Sequence, residues 1–191
     1  MQTVITEDCC SWCCYIVIAA NCEVSAVSYS GYGVKCTPRH GNLTINGVTV
    51  WESEWCRDQD PHAHNRGLAI FLLDPFKCSI PGSHVYDTHQ KEADAAELIS
   101  FLNGMSNGTF VIGITADEAV HSLTKALPTL SKIGVDVGDV HYRGSFGFIA
   151  EKGFPEKTML RKVLTEEESN TNPAKFHASI TGRPTCVQIE Y

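Results

Sequence analysis

The sequence of 191 residues predicts an α+β domain, and two observations carry this prediction. The first sixty residues are rich in β-branched and aromatic residues, interrupted by turns, which favours strands. Further along, apolar strand-like runs alternate with segments whose apolar residues have helical spacing. A chain of this length can bury a real core, so we expect one compact domain preceded by a Cys-rich strand segment at residues 1–28.

The N-terminal third is predicted to contain strands and one tight hairpin. Tyr15 to Ala20 and Val24 to Tyr29 have strand-forming composition. The dipeptide Asn46-Gly47 stands between two short apolar segments and supplies the positive φ values that a two-residue hairpin turn needs. The polar stretch from Trp51 to Asn65 predicts an exposed loop.

The middle of the chain is predicted to contain two main helices between buried strands. Leu68 to Leu73 is a continuous apolar run, typical of a strand covered on both faces. Thr88 is placed to cap a first helix that stops at Asn103-Gly104. After a strand at Thr109 to Thr115, the last threonine and Glu118 have the spacing of a capping box, which predicts the start of a second helix.

The C-terminal third is predicted to return to strands. Pro128 and Gly134 disturb the second helix, and the charged, weakly periodic stretch from Phe154 to Pro173 predicts a long surface loop. The predicted strands of this region are Val140–Tyr142, Phe146–Ala150, Lys175–Ile180 and Val187–Tyr191.

Composition disfavours several classes of partner. Fifteen Lys and Arg against 22 Asp and Glu give a formal charge of −7, so we expect no nucleic-acid binding. No apolar run reaches the length of a membrane span, so no membrane insertion is expected. Glu7 and Asp8 stand where the basic part of a leader peptide would be, which is typical of a mature or trimmed chain.

Cysteine usage and two glycosylation sequons favour an extracellular, disulfide-bonded protein. The sequons begin at Asn42 and Asn107, and nine cysteines are many for a cytosolic chain. The odd number leaves one sulfur for an intermolecular bridge or a free thiol. The nine positions are Cys9, Cys10, Cys13, Cys14, Cys22, Cys36, Cys56, Cys78 and Cys186.

The pairing of these cysteines is left open by the sequence. The cluster Cys9 to Cys14 is expected to bond outward to later cysteines or to a second chain, because adjacent cysteines pair poorly with each other. Zinc binding by this cluster is the alternative, but no second ligand pair with matching spacing is present. His62 and His64 lie in a polar loop where exposure is the ordinary explanation. We therefore expect no metal and no cofactor.

Three charged side chains stand where strands or helices meet loops, and we expect them to converge on one rim. They are Arg66, Asp117 and Arg143, with Glu118 and Tyr142 beside them. Guanidinium groups donate paired hydrogen bonds and a carboxylate accepts them, a combination that can hold a neutral, hydroxyl-rich ligand. These five residues are the predicted carbohydrate-binding site.

Simpler explanations exist for the same residues. Asp117 could serve the positive end of a helix dipole, or pair with either arginine as a plain salt bridge. Alternation along a strand favours Tyr142 and Phe146 as core residues instead of surfaces for a sugar ring.

Several short sequence segments together resemble a known family. These segments are Arg66 to Ile70, Val85 to Thr88, Gly108 to Ile112, Asp117-Glu118 and Tyr142 to Gly153. They resemble the GG domain of the interleukin-like EMT inducer (ILEI) family and the stem domain of protein O-linked-mannose β-1,2-N-acetylglucosaminyltransferase. The resemblance is strongest from residue 66 to 153, and the ILEI/GG-like domain is expected to span residues 29–191.

This resemblance implies both a fold and a function. The fold is a compact β-sandwich-like body of mostly antiparallel strands, with two main helices packed against it and disulfide links. The transferase stem is not catalytic and binds N-acetylglucosamine glycans through an Arg, an Asp and an Arg, roles that fall on Arg66, Asp117 and Arg143. Inducer members are secreted signalling proteins. This chain departs from the family pattern at Gly144, where an Asp is usual, and at Phe146, where a Trp is usual.

The resulting expectation is a secreted lectin that recognises terminal N-acetylhexosamine, of the N-acetylglucosamine type, and is not an enzyme. Its partners would be glycans with terminal amino sugars, and an unpaired cysteine or a noncovalent contact would allow a homodimer. The sequence contains no nucleophile elbow, zinc-protease helix or phosphate loop. The alternative is a cytokine-like secreted protein acting through protein contacts. A third class, a metal-dependent enzyme, would need the N-terminal cysteines or the loop with His62 and His64.

Overall fold

The computed structural model describes residues 21–30, 41–53, 66–89 and 91–182 of the chain. Several expectations lie outside these residues. They concern the strands Tyr15–Ala20 and Val187–Tyr191, the cluster Cys9–Cys14, and the pair His62 and His64.

Within the described residues, nine strands form two antiparallel sheets, and three helices connect strands along the chain. The first sheet has the strand order β3-β2-β1-β9, and the second has β5-β4-β6-β7-β8. The strands are β1 (Asn21–Ser28), β2 (Gly41–Ile45), β3 (Val48–Glu52), β4 (Gly67–Asp74), β5 (Ser79–Tyr86), β6 (Phe110–Ala116), β7 (Ser145–Glu151), β8 (Met159–Val163) and β9 (Ala174–Thr181). The helices are α1 (Glu92–Gly104), α2 (Leu127–Lys132) and α3 (Glu166–Thr171), with 3₁₀ turns at Leu123–Lys125 and Pro155–Lys157.

The two sheets pack face to face through an apolar core. Leu43 and Phe176 of the first sheet belong to the same buried cluster as Phe71 and Ile112 of the second. The expectation of mostly antiparallel strands in a two-sheet body is therefore confirmed. Burial of these side chains removes apolar surface from water, which is the main favourable contribution to folding.

Helices cover the other face of the second sheet. Leu98 and Leu102 of α1 and Leu130 of α2 pack on Ile70 and Phe148. The central strands of this sheet are thus buried on both faces, as the continuous apolar run in β4 predicted. The expectation of two main helices is not confirmed, because α1 has 13 residues whereas α2 and α3 have six each.

The predicted hairpin is confirmed at its turn. Asn46 and Gly47 have φ values of 51° and 77°, the positive values that a two-residue turn requires. The predicted strands that became β1, β6, β7 and β9 are also present. Local turn chemistry and long apolar runs were sufficient signals for these elements.

The sequence prediction missed β5 and misplaced the start of α1. Pro81 and Gly82 lie inside β5 at the edge of the sheet, where a residue without an N–H group is tolerated. Thr88 does not cap the helix. Its hydroxyl donates to the carbonyl of Ala119 at 2.7 Å, and α1 begins at Glu92 without a side-chain cap.

The predicted capping box at Thr115 and Glu118 is wrong. Thr115 lies inside β6, because pairing with β4 continues to Ala116 opposite Gly67. No helix begins there, and α2 starts only at Leu127, with Pro128 in the first turn. Proline fits that position since the first N–H groups of a helix have no partner within the helix.

Two predictions in the C-terminal third are also wrong. Val140 to Tyr142 do not form a strand, because they lead into the turn at Tyr142 and Arg143. The segment from Phe154 to Pro173 is not one long loop, because it contains a 3₁₀ turn, β8 and α3. The capping box of α3, formed by Thr165 and Glu168, was readable in the sequence.

A disulfide bond between Cys22 and Cys78 connects β1 with the residue before β5, and so joins the two sheets. The sequence had not assigned this pair, and the other seven cysteines lie outside the described residues. Of the two sequon asparagines, Asn107 is exposed whereas Asn42 is half-buried in β2. None of the described helices is long and apolar enough to cross a membrane.

Candidate functional site

The three predicted charged residues lie at one end of the second sheet. Gly67, the first residue of β4, pairs with Ala116, the last residue of β6, so Arg66 and Asp117 both stand just beyond the paired strands. Ile114 pairs with Gly147, which puts the start of β7 and the preceding Arg143 at this same end. The expectation that strand ends would bring these residues to one region is in agreement with this register.

Asp117 and Arg143 form a buried ion pair. Arg143 Nη1 donates to Asp117 Oδ1 at 2.6 Å, and the side chain of Arg143 is only 6% exposed and that of Asp117 only 3%. The same nitrogen also donates to the carbonyl of Ser30 at 3.2 Å. A charge-assisted bond of this length is strong, but both groups have lost nearly all their hydration. We call Asp117 and Arg143 the buried pair.

Both members of the buried pair have left-handed backbone conformations. Asp117 has a φ of 57° and Arg143 a φ of 58°, values uncommon for residues other than glycine. The N–H of Asp117 donates to the carbonyl of Tyr29 at 3.2 Å, and the N–H of Gly144 donates to His141 O at 2.8 Å. Such conformations cost on the order of 1–3 kcal/mol each and persist only where surrounding contacts enforce them.

The backbone at Gly144 is closely packed against the end of β8. A Cβ atom at this position would lie 2.7 Å from the carbonyl oxygen of Leu164 and 2.8 Å from that of Val163. The close approach of this backbone leaves no room for a side chain at this position. The turn that carries Arg143 is therefore held directly against the end of β8.

A buried hydroxyl network joins the strands that hold the pair. Ser145 Oγ accepts from the N–H of Ser30 at 2.8 Å and contacts Ser169 Oγ at 2.9 Å. Thr115 Oγ1 accepts from the N–H of Phe146 at 3.1 Å and contacts the hydroxyl of Ser28. Sequence reasoning missed this network, since isolated serines carry no periodic signal.

Arg66 has a different carboxylate partner. Its Nε and Nη2 atoms lie 3.3 Å and 3.4 Å from the two oxygens of Asp87, with side-chain exposures of 21% and 13%. The backbone N–H of Asp87 in turn donates to the side chain of Asp94 at 2.8 Å. The sequence analysis did not identify Asp87, although this residue lies in one of the segments that carry the family resemblance.

Glu118 is completely buried and organises the loop after β6. Its Oε1 accepts from the N–H of Val120 at 2.8 Å, and both oxygens lie 3.2 Å from the N–H of His121. Its Oε2 lies 2.7 Å from Nδ1 of His89. This residue was predicted to meet a ligand, but with no exposed surface it acts on other residues of the protein. Neither histidine was identified from the sequence.

Tyr142 is an exposed aromatic residue beside the buried pair. Its side chain belongs to the turn before β7 and is 46% exposed, so the expectation of a core position is wrong for it and right for fully buried Phe146. The Arg143 Cζ atom lies 5.5 Å from the Tyr142 ring centroid, and the His89 ring lies 6.4 Å away.

Further aromatic and charged groups extend this surface. The rings of His89 and His121 are 5.7 Å apart. We call four residues beside the buried pair the rim, and they are Arg66, His89, His121 and Tyr142. In the part of the chain that the structure describes, no group of three or more His, Cys, Asp or Glu side chains is arranged to hold a metal ion.

Comparison with known families assigns this part of the chain. Residues 66–154 match the family model described as interleukin-like EMT inducer. This segment of the chain is therefore similar to the ILEI family. The matched residues include the predicted site residues and the strands from β4 to β7. The ILEI resemblance expected from the sequence is thus confirmed, whereas the resemblance of this chain to the transferase stem stays a prediction. A search of curated protein sequences gives no match to this chain.

Proposed function

We propose that this protein is a secreted carbohydrate-binding protein, and that terminal N-acetylhexosamine binds at the rim over the buried pair. The buried pair is the observation that carries the proposal. Ion pairs removed from water add little net stability, and left-handed backbone at both members costs more. A buried ion pair and left-handed backbone that occur together despite these costs are typical of a binding site.

The simplest alternative role for Asp117 no longer applies. Its position in the first turn of a helix would explain a carboxylate there without any ligand, but no helix begins at this residue. Asp117 instead holds Arg143 in place. The buried pair then forms the preorganised base of the site, and only a small part of its surface is in contact with solvent.

The rim supplies the groups that a sugar requires. Tyr142 offers an exposed ring face on which the apolar face of a pyranose can pack. The side chain of Arg66 is one-fifth exposed, and its guanidinium group only donates hydrogen bonds. Because the buried pair is almost covered, the sugar would lie on the rim, with at most one projecting hydroxyl or acetamido group reaching Arg143.

Such a shallow site would bind a single sugar weakly. Few ligand atoms are buried, so we expect a dissociation constant of roughly micromolar to millimolar size. Useful binding to a glycan surface would then need two or more linked sites, because linkage raises the effective concentration. A homodimer, through an unpaired cysteine or a noncovalent contact, would supply them.

Tyr142→Ala tests this function without disturbing the core. We expect about tenfold or greater loss of affinity for N-acetylglucosamine-terminated oligosaccharides, measured by isothermal titration, because the ring face is removed. Phe76→Ala is the matched control, since Phe76 is an exposed aromatic at the opposite end of β4. Unchanged binding by the Tyr142 variant would remove the rim from the proposed site.

A signalling role through protein contacts is the second candidate, and a cleft beside α1 favours it. This cleft has a volume of about 580 Å³ and is lined in part by Leu72, Phe101 and Met105. Contiguous apolar surface that is open to solvent is typical of protein contact sites. A glycan array with no hit at high protein density would move the assignment to this role.

A further inference from the structure

We infer that His89 is a sugar-contacting residue of the rim that offers its Nε2 atom as a hydrogen-bond acceptor, and that Glu118 positions it. The inference rests on the proposed carbohydrate-binding function. It assigns a role to a histidine that lies outside the predicted site. It also changes the role of Glu118 from ligand contact to positioning residue.

The protonation pattern of His89 follows from its partner. The Nδ1 atom lies 2.7 Å from Glu118 Oε2, and the side chain of Glu118 is fully buried. A carboxylate only accepts hydrogen bonds, so Nδ1 must carry the proton and donate. In the neutral ring, Nε2 then has a free lone pair and acts as an acceptor.

The Nε2 atom is available to a ligand. Among the residues that the structure describes, no hydrogen bond or ion pair involves this atom, and the His89 side chain is 18% exposed. Its ring lies 6.4 Å from the ring of exposed Tyr142. A sugar packed on Tyr142 therefore has an acceptor within reach for a hydroxyl or for the acetamido N–H group.

This acceptor complements the other polar groups of the site. The guanidinium groups of Arg66 and Arg143 only donate, while the carboxylate of Asp117 is covered and already accepts from Arg143. An N-acetylhexosamine presents an amide N–H, an amide C=O and several hydroxyls. A donor and an acceptor on the same rim match both halves of the acetamido group.

The loop that carries His89 is fixed before any ligand binds. Ser122 Oγ donates to the carbonyl of His89 at 3.0 Å, and the N–H of Ser122 donates to the carbonyl of Thr88 at 2.6 Å. These bonds join the loop after β5 to the loop after β6. A prearranged acceptor costs less entropy on binding than one that must be ordered by the ligand.

The first experiment reads the proton position on His89 directly. Long-range ¹H–¹⁵N NMR of the labelled full chain should show a protonated Nδ1 and a bare Nε2. Addition of chitobiose, a disaccharide of N-acetylglucosamine, should shift the Nε2 resonance. A protonated Nε2 in the neutral ring, or an Nε2 resonance that is unchanged at saturating chitobiose, would overturn the inference.

Two variants test the roles separately. His89→Phe keeps a ring and removes both nitrogens, and we expect about tenfold weaker chitobiose binding. His84→Phe is the control, because His84 is exposed in the middle of β5. Glu118→Gln leaves an oxygen for the N–H groups of Val120 and His121 and presents an N–H to Nδ1. This change should move the proton of His89 to Nε2 and weaken binding by a similar factor.

The outcomes distinguish this inference from the proposed function. If the unaltered protein binds chitobiose and His89→Phe binds it equally well, the inference is wrong and the function stands. If Glu118→Gln moves the proton without weakening binding, the acceptor role is wrong. If the unaltered protein binds no sugar on a glycan array, the function fails and the inference fails with it. Should His89→Phe not fold, the Nε2 resonance of the unaltered protein decides.

Discussion

Asp117 and Arg143 illustrate how much a single contact can matter at the residue scale. If Asp117 were only the first-turn residue of an exposed helix, its loss would cost about 1 kcal/mol. In the structure its carboxylate is the buried partner of a guanidinium group. Removal of one charge then leaves the other uncompensated away from water, which is a far larger penalty.

Asp117→Asn should lower the free energy of unfolding by about 3–5 kcal/mol, because Arg143 stays buried without its counter-charge. Asparagine tolerates the left-handed conformation, so the change isolates the charge from the backbone. Chemical denaturation at neutral pH measures the loss. Glu156→Gln, an exposed carboxylate in the second 3₁₀ turn, is the control and should be near neutral.

The coupling within the pair can be measured too. Combining Asp117→Asn with Arg143→Gln should cost less than the sum of the two single changes, since the second change removes the stranded charge. Additive losses, or a loss below about 1 kcal/mol for Asp117→Asn alone, would contradict the energetic account of the buried pair.

Asp139 predicts a pH effect at the turn that leads to Arg143. A hydrogen bond from Lys162, together with other nearby groups, lowers the pKa of Asp139 below its ordinary value. The folded pKa is therefore below the unfolded one, near 3.9. The stabilising contribution is present above that unfolded value and is lost as the pH falls through the folded pKa. Lys162→Gln should return the pKa of Asp139 toward its ordinary value, which a carboxyl NMR titration can follow; no change would exclude Lys162 as the cause.

At the scale of elements, the central strands of the second sheet were predictable and its two edge strands were not. β4 and β6 carry continuous apolar runs because both faces are covered, and the hairpin carries its turn residues. β5 and β8 lie at the edges of the second sheet and consist mostly of exposed or partly buried residues, so their sequences lack the alternation expected of a strand with one buried face. The false helix start at Thr115 arose because strand pairing, a tertiary property, overrode a valid local signal.

The candidate site shows the same division. Strand ends located Arg66, Asp117 and Arg143 at one end of a sheet, since antiparallel neighbours bring specific ends together. The partner of each charge could not be predicted. Asp87 and His89 reach the site through the path of a loop, and loop paths leave little periodic signal in a sequence.

Substitution of Gly67, the first residue of β4, is expected to destabilise the protein severely. A Cβ atom there would lie 2.1 Å from the carbonyl oxygen of Tyr86 and 2.8 Å from the backbone nitrogen of Thr88, and the φ of Gly67 is 109°. Gly67→Ala should therefore destabilise the protein by more than about 2 kcal/mol and displace Arg66 from Asp87. Thermal unfolding and chemical denaturation measure the effect.

Gly104→Ala is the matched control for this prediction. A Cβ atom at the last position of α1 meets no heavy atom within 4 Å. The change should be neutral, or stabilise by up to about 1 kcal/mol through helix propensity. Equal effects of the two substitutions would show that the close approach at Gly67 is not what sets its cost.

At the scale of the whole molecule, the disulfide between Cys22 and Cys78 links the two sheets over a separation of 56 residues. Closing a loop of this length restricts the unfolded chain and stabilises the folded state by about 4 kcal/mol in the chain-entropy description. Replacing both cysteines by serine should lower the unfolding free energy by roughly 2–4 kcal/mol. Denaturant unfolding of the double variant tests this, and a loss below about 1 kcal/mol would contradict it.

The first sheet also reaches the candidate site, and it does so through backbone carbonyls. Tyr29 O accepts from the N–H of Asp117, and Ser30 O accepts from Arg143. Carbonyl oxygens are present whatever the side chain. The support of the buried pair by these two residues would therefore leave no trace in side-chain comparisons between related sequences.

The sandwich arrangement decides where the polypeptide can be trimmed for laboratory work. The matched segment, residues 66–154, contains neither β8 nor any strand of the first sheet. A recombinant fragment cut at those limits would turn the side chains of Phe71 and Ile112 out toward the solvent, a surface prone to aggregation. An expressed fragment should begin at or before Asn21 and extend at least to Thr181, so that the apolar inner face of the second sheet stays covered by the first.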